Sequence, residues 1–286
     1  MSDVVVGIAQ VSILTFVVSS MTGLGLSLTA QQILTPLKDV KLVLLALVAS
    51  FVIAPGGAWA IAELFGLDDS QTLGLLLLGV AGGAPFLPKL AQLAHAAVAY
   101  SVGLMVLLMV GTVGYVPLVL PLLVDGVMVS AWDIARPLLL LMLLPLAAAL
   151  VVRARYPGSA RLAPTLSQVS TVALALGIGA AVLIGLPEIW DQIGTGVLLA
   201  TLVLVGTCLV AGYLLGGSGR DQRVTSALGT AQRNLSAALL IAGTSFQDTP
   251  EVLVTVMVAS LLLTGVLLLV AGELGRRTAA TTAAEQ

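Results

Sequence analysis

The sequence predicts an all-α polytopic membrane protein of nine transmembrane helices, built as an inverted repeat of spans 1–4 and 6–9 with one broken helix in each half. Three observations lead there. Apolar residues make up 59% of the 286 residues and charged residues 9%, with a mean hydropathy of +1.12; a soluble domain carries roughly 25% charged residues. Apolar stretches of spanning length recur along nearly the whole chain. The charges between those stretches alternate in sign from one connection to the next.

A hydrocarbon core about 30 Å thick takes about 20 helical residues. The stretches that meet this length are Val4–Leu26, Val40–Leu64, Thr72–Leu93, Ala97–Leu120, Ala131–Val152, Leu162–Ile184, Gly194–Leu215, Val224–Phe246 and Val252–Leu274. Lipid offers backbone groups no partner, so helices are expected; a barrel would show alternating strands of about ten residues. Span 1 opens "MSDVVVGIAQVSILTF", with an acidic residue and no basic region, so no cleavable signal peptide is expected. Span 6 carries "GIGAA", Gly177–Ala181, a close-packing face. Span 7 holds Cys208, the sole cysteine, expected as a small apolar residue inside a helix. The tail "TAATTAAEQ" is expected to be frayed. Residues 1–277 therefore form one transmembrane domain, with halves at about 4–120 and 162–274, followed by a disordered cytoplasmic tail at 278–286.

The charges orient the spans. Lys38, Lys41, Arg153, Arg155, Arg161, Arg220, Arg223, Arg276 and Arg277 fall on one side. Asp3, Glu63, Asp68, Asp69, Asp125, Asp133, Glu188, Asp191, Asp248 and Glu251 fall on the other, where Arg136 is the lone basic residue. The positive-inside rule puts the C-terminus in the cytoplasm and the N-terminus outside, in a multi-pass protein of the plasma membrane.

Two basic residues remain at membrane depth, Lys89 and Arg233. Such a charge costs about 2.5–3.5 kcal/mol at the bilayer centre on insertion scales and faces a cavity or a partner. Both sit in segments that break a helix. Span 3 reads "GGAPFLPK", with Gly82, Gly83, Pro85 and Pro88; proline removes a donor and clashes with the preceding turn. Span 8 reads "GTAQRN", with Gly229, Thr230, Gln232 and Asn234. Interrupted segments at corresponding places in two halves point to a transporter's central site. Each four-helix half has its broken helix third, and the single span between them makes the halves opposite in orientation. Half-helix N-termini favour anions and C-termini favour cations.

Several residues admit two readings. Arg233 either caps broken-helix carbonyls or also meets substrate. Lys89 either faces the site or snorkels to the interface. Gln92 and His95, the sole histidine, follow Lys89 on span 3; His95 is either a proton shuttle or an interfacial hydrogen-bonding group. Gln232, Thr230, Asn234 and Ser236 are either ligands or helix–helix hydrogen-bonding groups. Ser167, Gln168, Ser170 and Thr171 open span 6 as a polar cluster that lines a cavity or packs.

The stretches "TGLGLSLT", "AGGAPFLPKLAQLAHAAVAYSV" and "TSALGTAQRNLSAALLIA" resemble, in order and spacing, the bile acid:sodium symporter family, over Met1 to about Arg277. That resemblance implies a core domain whose two broken helices cross, beside a panel domain drawn from spans 1, 5 and 6, and alternating-access transport. It also implies ten helices, of which this chain lacks the first. Members with two sodium sites carry a polar Thr-Ala-Ser-Asn where this chain has Ala84, Pro85, Phe86 and Leu87. They carry a glutamate where it has Gly229 and a glutamine where it has Arg233, while Asn234 is retained. Sodium, as a hard cation, seeks oxygen ligands. Arg233, with Lys89, is expected to stand where sodium would be; arginine keeps its proton, whereas a buried lysine is able to titrate.

The expected function is secondary transport of a small organic anion of the carboxylate type, with altered or absent sodium sites. The alternatives are sodium-coupled symport of the usual family kind and a passive channel or facilitator. No cofactor is expected beyond sodium or a proton as coupling ion. No metal site and no nucleic-acid partner is expected; the lipid bilayer and the anion are the partners. An enzyme is not expected: the chain has no phosphate-cradling loop, zinc-type histidine pair or haem-type motif, and its one histidine and one cysteine leave little for metal or thiol chemistry.

Overall fold

A computed structural model of the protein describes residues 2–123, 132, 136, 139–191, 194–246 and 249–284, and every regular element among them is helical. Asp125, Asp133 and Asp248 lie outside the described residues, as do the side chains of Asp3, Glu188, Asp191 and Ser236. The first helix, α1, runs Ser2–Ser27, and the short α2, Ala30–Leu34, leads into a 3-10 turn at Thr35–Lys38. Asp39 then caps α3, Val40–Val48, by accepting from the Leu42 amide at 3.0 Å. A π-turn at Ala49–Ile53 joins α3 to α4, Ala54–Phe65. Asp68 and Gln71 form a capping box at the start of α5, Asp69–Val80. The chain continues through α6, Leu87–Leu93, and α7, Val98–Leu123. The described part of the fifth expected span is a π-turn at Leu139–Leu143 and α8, Leu144–Arg155. Beyond it lie α9, Ala163–Asp191; α10, Val197–Leu215; α11, Arg220–Ala231; α12, Leu235–Ser245; and α13, Pro250–Ala284.

Among the described residues, four helical stretches are long and apolar enough to cross a membrane: Val40–Phe65, Val98–Val116, Val197–Leu215 and Glu251–Ala280. The segments around Gly83 and Arg233 are each two short helices, of 12 and 7 residues and of 12 and 11 residues. Neither half alone reaches across a hydrocarbon core. Large apolar side chains such as Val11, Leu44, Val52, Leu118, Leu176, Leu199 and Leu214 point outward. A soluble surface avoids so extended an apolar exterior, whereas lipid solvates it.

Residues 278–284 continue α13. Arg276 and Arg277 pair with Glu273 at 2.7 Å each, at i+3 and i+4, and the Thr278 hydroxyl donates to the Leu274 carbonyl at 2.8 Å. Alanines with such local bonds suffice to continue a helix already held by its apolar part.

The helices pack as two groups. In the smaller, α1 lies against α8 and α9. Gly25 makes this possible: a Cβ there would stand 2.6 Å from the Ala149 Cβ and 2.7 Å from the Leu146 carbonyl oxygen. In the larger group, α3 to α7 and α10 to α13 surround fully buried Leu75, Leu77, Leu78, Leu104, Met105 and Leu108. The two interrupted segments run through the middle of this larger group and face α1 and α9.

Candidate functional site

The first interruption is an extended stretch from Ala81 to Ala84 that ends α5 and precedes α6. Gly83 adopts a left-handed φ of +75°, which turns the chain toward α6. Pro88 lies in the first turn of α6, where a missing N–H costs nothing. The second interruption is at Gln232 to Asn234, between α11 and α12. Asn234 is the N-cap of α12; its side-chain oxygen accepts from the Ala237 amide at 3.2 Å.

The interruptions meet. The Asn234 amide donates to the Ala81 carbonyl at 2.8 Å, and Asn234 Nδ2 donates to the Gly83 carbonyl at 3.2 Å. On the other side, the Thr112 hydroxyl of α7 accepts from the Gly82 amide at 2.9 Å and donates to the Gly82 carbonyl at 3.0 Å. The polar groups freed by the first break are thus taken up by Asn234 and Thr112. Replacing Thr112 by valine leaves the Gly82 N–H and C=O buried without that partner, and each such group costs about 1–3 kcal/mol. T112V is expected to lower stability by at least about 2 kcal/mol, measured as a drop in the midpoint of thermal unfolding in detergent. An unchanged midpoint would show that water serves Gly82 equally well.

Arg233 fills the space between the two broken helices. It is 1% exposed and is among the largest fully buried side chains. Its Nε donates to the Leu78 carbonyl at 2.9 Å, its Nη1 to the Thr230 carbonyl at 2.9 Å, and its Nη2 to the Ser50 carbonyl at 3.2 Å and to the Gly79 carbonyl. Leu78 and Gly79 lie in the last turn of α5, and Thr230 in the last turn of α11. These are the negative ends of two helix dipoles, where a cation is stabilised. Four of the five guanidinium N–H groups are engaged in this way, and no acidic side chain pairs with Arg233 among the described residues.

The Ser50 carbonyl reveals a device that sequence reasoning did not find. In the π-turn, the Ala54 amide reaches five residues back to the Ala49 carbonyl. The next residue, Pro55, has no N–H to offer the carbonyls of Ser50 or Phe51. The Ser50 carbonyl goes to Arg233, and the Phe51 carbonyl accepts from the Tyr115 hydroxyl at 2.6 Å. A proline inside the apolar span 2 was the available signal; π-bulges gather at functional sites for this reason.

The remaining sequence-predicted residues divide. Thr230 and Gln232 are buried at the crossing. Gly229 is covered: a Cβ there would stand 2.7 Å from Leu104 Cδ2 and 3.1 Å from Leu87 Cδ2. Gly82, Pro85 and Pro88 are buried along the first break. Ser236 opens α12, and its side chain lies outside the described residues. Lys89 and Gln92 are on α6 and line a separate cavity with Ser167 and Ser170 of α9. His95 is exposed just beyond α6, in a left-handed conformation with φ +51°, away from the crossing.

Two cavities lie between the α1–α9 pair and the interrupted helices. One, of about 360 Å³, has Gln232 and Arg233 in its wall and is otherwise lined mainly by apolar side chains, among them Phe16, Phe86, Leu174 and Leu239. The other, of about 340 Å³, mixes polar and apolar side chains and holds Lys89. Phe16 of α1 and Phe86 meet edge to face at 6.2 Å between ring centres.

Apolar spanning helices arranged around two interrupted segments, with a buried cation where those segments meet, define a polytopic membrane protein of the transporter class. The chain belongs to the sodium bile acid symporter family, whose profile matches residues 14–192, more than half of the chain. Members of that family are membrane transporters rather than enzymes. No curated protein matches the chain. The family match ends before α10, so the second interruption and Arg233 lie outside it.

Proposed function

We propose that the protein is a secondary transporter of a small organic anion of the carboxylate class, working by alternating access, with the Arg233 guanidinium as a resident cation in place of sodium. The observation that carries this is the set of four carbonyls, at two helix C-termini and a π-turn, that all accept from Arg233. A site of that make-up attracts a cation. Here the cation is covalently part of the chain and keeps its charge.

Two further features support a lost sodium site. The position of the family's glutamate, Gly229, is packed against Leu104 and Leu87, so the space a carboxylate would need is taken by leucine. Ala84 to Leu87 are buried and supply no side-chain oxygen. A guanidinium with no acidic partner among the described residues then leaves net positive charge in the membrane interior, which favours an anion nearby. The proposal takes the nine spans as an inverted repeat, with the N-terminus outside and the C-terminus in the cytoplasm of the plasma membrane. It assigns α1, α8 and α9 to the panel and the larger group to the core, with the substrate between them.

The test is uptake of radiolabelled carboxylates into proteoliposomes with sodium or potassium outside. Equal initial rates in the two salts are expected, together with saturation and accumulation above the external concentration. Strict sodium dependence would overturn the resident-cation mechanism. Flux that never exceeds equilibration would make the protein a passive facilitator.

A further inference from the structure

We propose that the cavity around Lys89 binds the carboxylate of a small anion, and that occupation of this site releases the contact by which α6 holds α9. The mechanical consequence rests on the transporter function proposed above; the binding site stands apart from it.

The Lys89 ammonium reaches from α6 across to α9. It donates to Ser167 Oγ at 2.5 Å and to Thr171 Oγ1 at 3.2 Å. Its longer contact to the Ser167 carbonyl, at 3.5 Å, is weak. Ser167, Ser170 and Thr171 share one face of α9 at i, i+3 and i+4. Ser20 and Ser27 of α1 and Gln92 of α6 complete the polar wall, and no acidic side chain lines the cavity. Beside its apolar part, the wall therefore presents hydroxyls, an amide and one positive charge, with no acidic side chain among the described residues.

A second observation points to a ligand. Ser170 is fully buried, lines this cavity, and its hydroxyl has no hydrogen-bond partner among the described residues. Even the hydroxyl of a helical serine normally returns a bond to a carbonyl or finds a partner, because an unpaired buried polar group is costly. A carboxylate in the cavity accepts from Lys89 through one oxygen and from Ser170 through the other. The volume, about 340 Å³, is at the lower end of the range of about 300–1,000 Å³ for small-molecule pockets, so the ligand is small.

Binding and motion are linked through the ammonium. Its side-chain acceptors are neutral hydroxyls of α9. A carboxylate makes the stronger, charge-assisted bond and displaces them. The tie between α6 and α9 is then reduced to apolar contact. One apolar contact between the two helix groups is the edge-to-face Phe16–Phe86 pair, and apolar surfaces slide without leaving unpaired groups. The anion is in this way able to bias the two helix groups toward separation, as a ligand does when it binds one arrangement better than the other.

The experiment is thermal unfolding of the purified full chain in detergent with lactate, succinate and benzoate, each paired with its neutral amide. At least one carboxylate is expected to raise the midpoint while its amide does not. K89Q is expected to weaken that stabilisation at least about tenfold in apparent affinity, K89R to retain part of it, and S170A to weaken it less than K89Q. S167A/T171A removes the competing hydroxyls and is expected to tighten binding. That gain keeps the proposal testable if K89Q fails to fold. Stabilisation by none of the carboxylates, equal stabilisation by the amides, or undiminished binding in K89Q or S170A overturns the site. Weaker binding in S167A/T171A overturns the release. Binding that depends on Lys89 without uptake into proteoliposomes would instead sink the transporter function and leave the site standing; uptake unaffected by K89Q would do the reverse.

Discussion

Substitution of Arg233 by methionine is expected to destabilise the protein by at least about 4 kcal/mol, because it removes a donor from four buried carbonyls at once and each costs about 1 kcal/mol or more unpaired. Methionine keeps much of the volume, so the loss reports on hydrogen bonding rather than on a cavity. The carbonyls belong to α5, α11 and the π-turn. Their release loosens both half-helices together and is expected to abolish monodisperse protein at ordinary temperature. Lysine is not a conservative replacement here. Its ammonium has three donors on a single atom and cannot span four acceptors served by a planar fork, so R233K is expected to lie between wild type and R233M. R233A adds a separate test. It leaves a cluster of carbonyl oxygens around a void, and a hard cation is expected to enter it. Sodium should therefore raise the unfolding midpoint of R233A and leave that of wild type unchanged. If R233M unfolds at the wild-type temperature, the guanidinium does not hold the crossing together, and the resident-cation mechanism goes with it.

The second large effect is expected at Gly83. Its φ of +75° is a left-handed conformation that costs other residues roughly 1–2 kcal/mol. A Cβ there would stand 2.2 Å from the Met109 amide nitrogen and 2.6 Å from the Met109 Cα. These are backbone atoms of α7, so no side chain can swing aside and the helix itself must move. G83A is expected to cost about 3 kcal/mol or more in total, the strain adding to roughly 1–3 kcal/mol of overpacking. The displacement also separates Thr112 from Gly82 and weakens the Asn234 Nδ2 bond to the Gly83 carbonyl, so the crossing is disturbed on both faces. G82A is the control. The nearest atoms to its Cβ would be Thr112 Oγ1 at 3.4 Å and the Phe51 ring at 3.5 Å, ordinary contacts. A loss of less than about 1 kcal/mol is expected there. Equal unfolding midpoints for G82A and G83A would show that neither the left-handed turn nor the close approach of α7 matters.

The two effects differ in how far the sequence foretold them. The breaks in spans 3 and 8 were legible: Gly82, Gly83, Pro85 and Pro88 disfavour a continuous helix by local sterics, and a guanidinium in an apolar span demands a partner. The N-cap at Asn234 follows from the same local chemistry, since a short amide side chain at a helix start captures a free N–H. The partners were not legible. The acceptors of Arg233 are main-chain carbonyls, which every residue possesses, and those of Leu78 and Ser50 lie 155 and 183 residues away in the chain. Thr112 gave no sign of its role, because a threonine inside a membrane helix ordinarily bonds its own preceding turn. The grouping of Lys89 with Ser167, Ser170 and Thr171 likewise joins helices some 80 positions apart. His95 is exposed just past the end of α6, where its left-handed φ of +51° is a backbone feature that its place in the sequence did not announce.

The sequence by itself determined the quantities that add up locally along the chain. These are an apolar content that only lipid solvates, helix breaks set by glycine and proline, and a fixed positive charge between them. The tertiary structure alone decided which carbonyls receive that charge, which leucines pack against Gly229, and where a second cation bridges α6 to α9. The physical reason is that a free carbonyl or amide is created by local backbone geometry but satisfied by whatever the packing brings within about 3 Å, and in a membrane interior without water that partner must come from elsewhere in the fold.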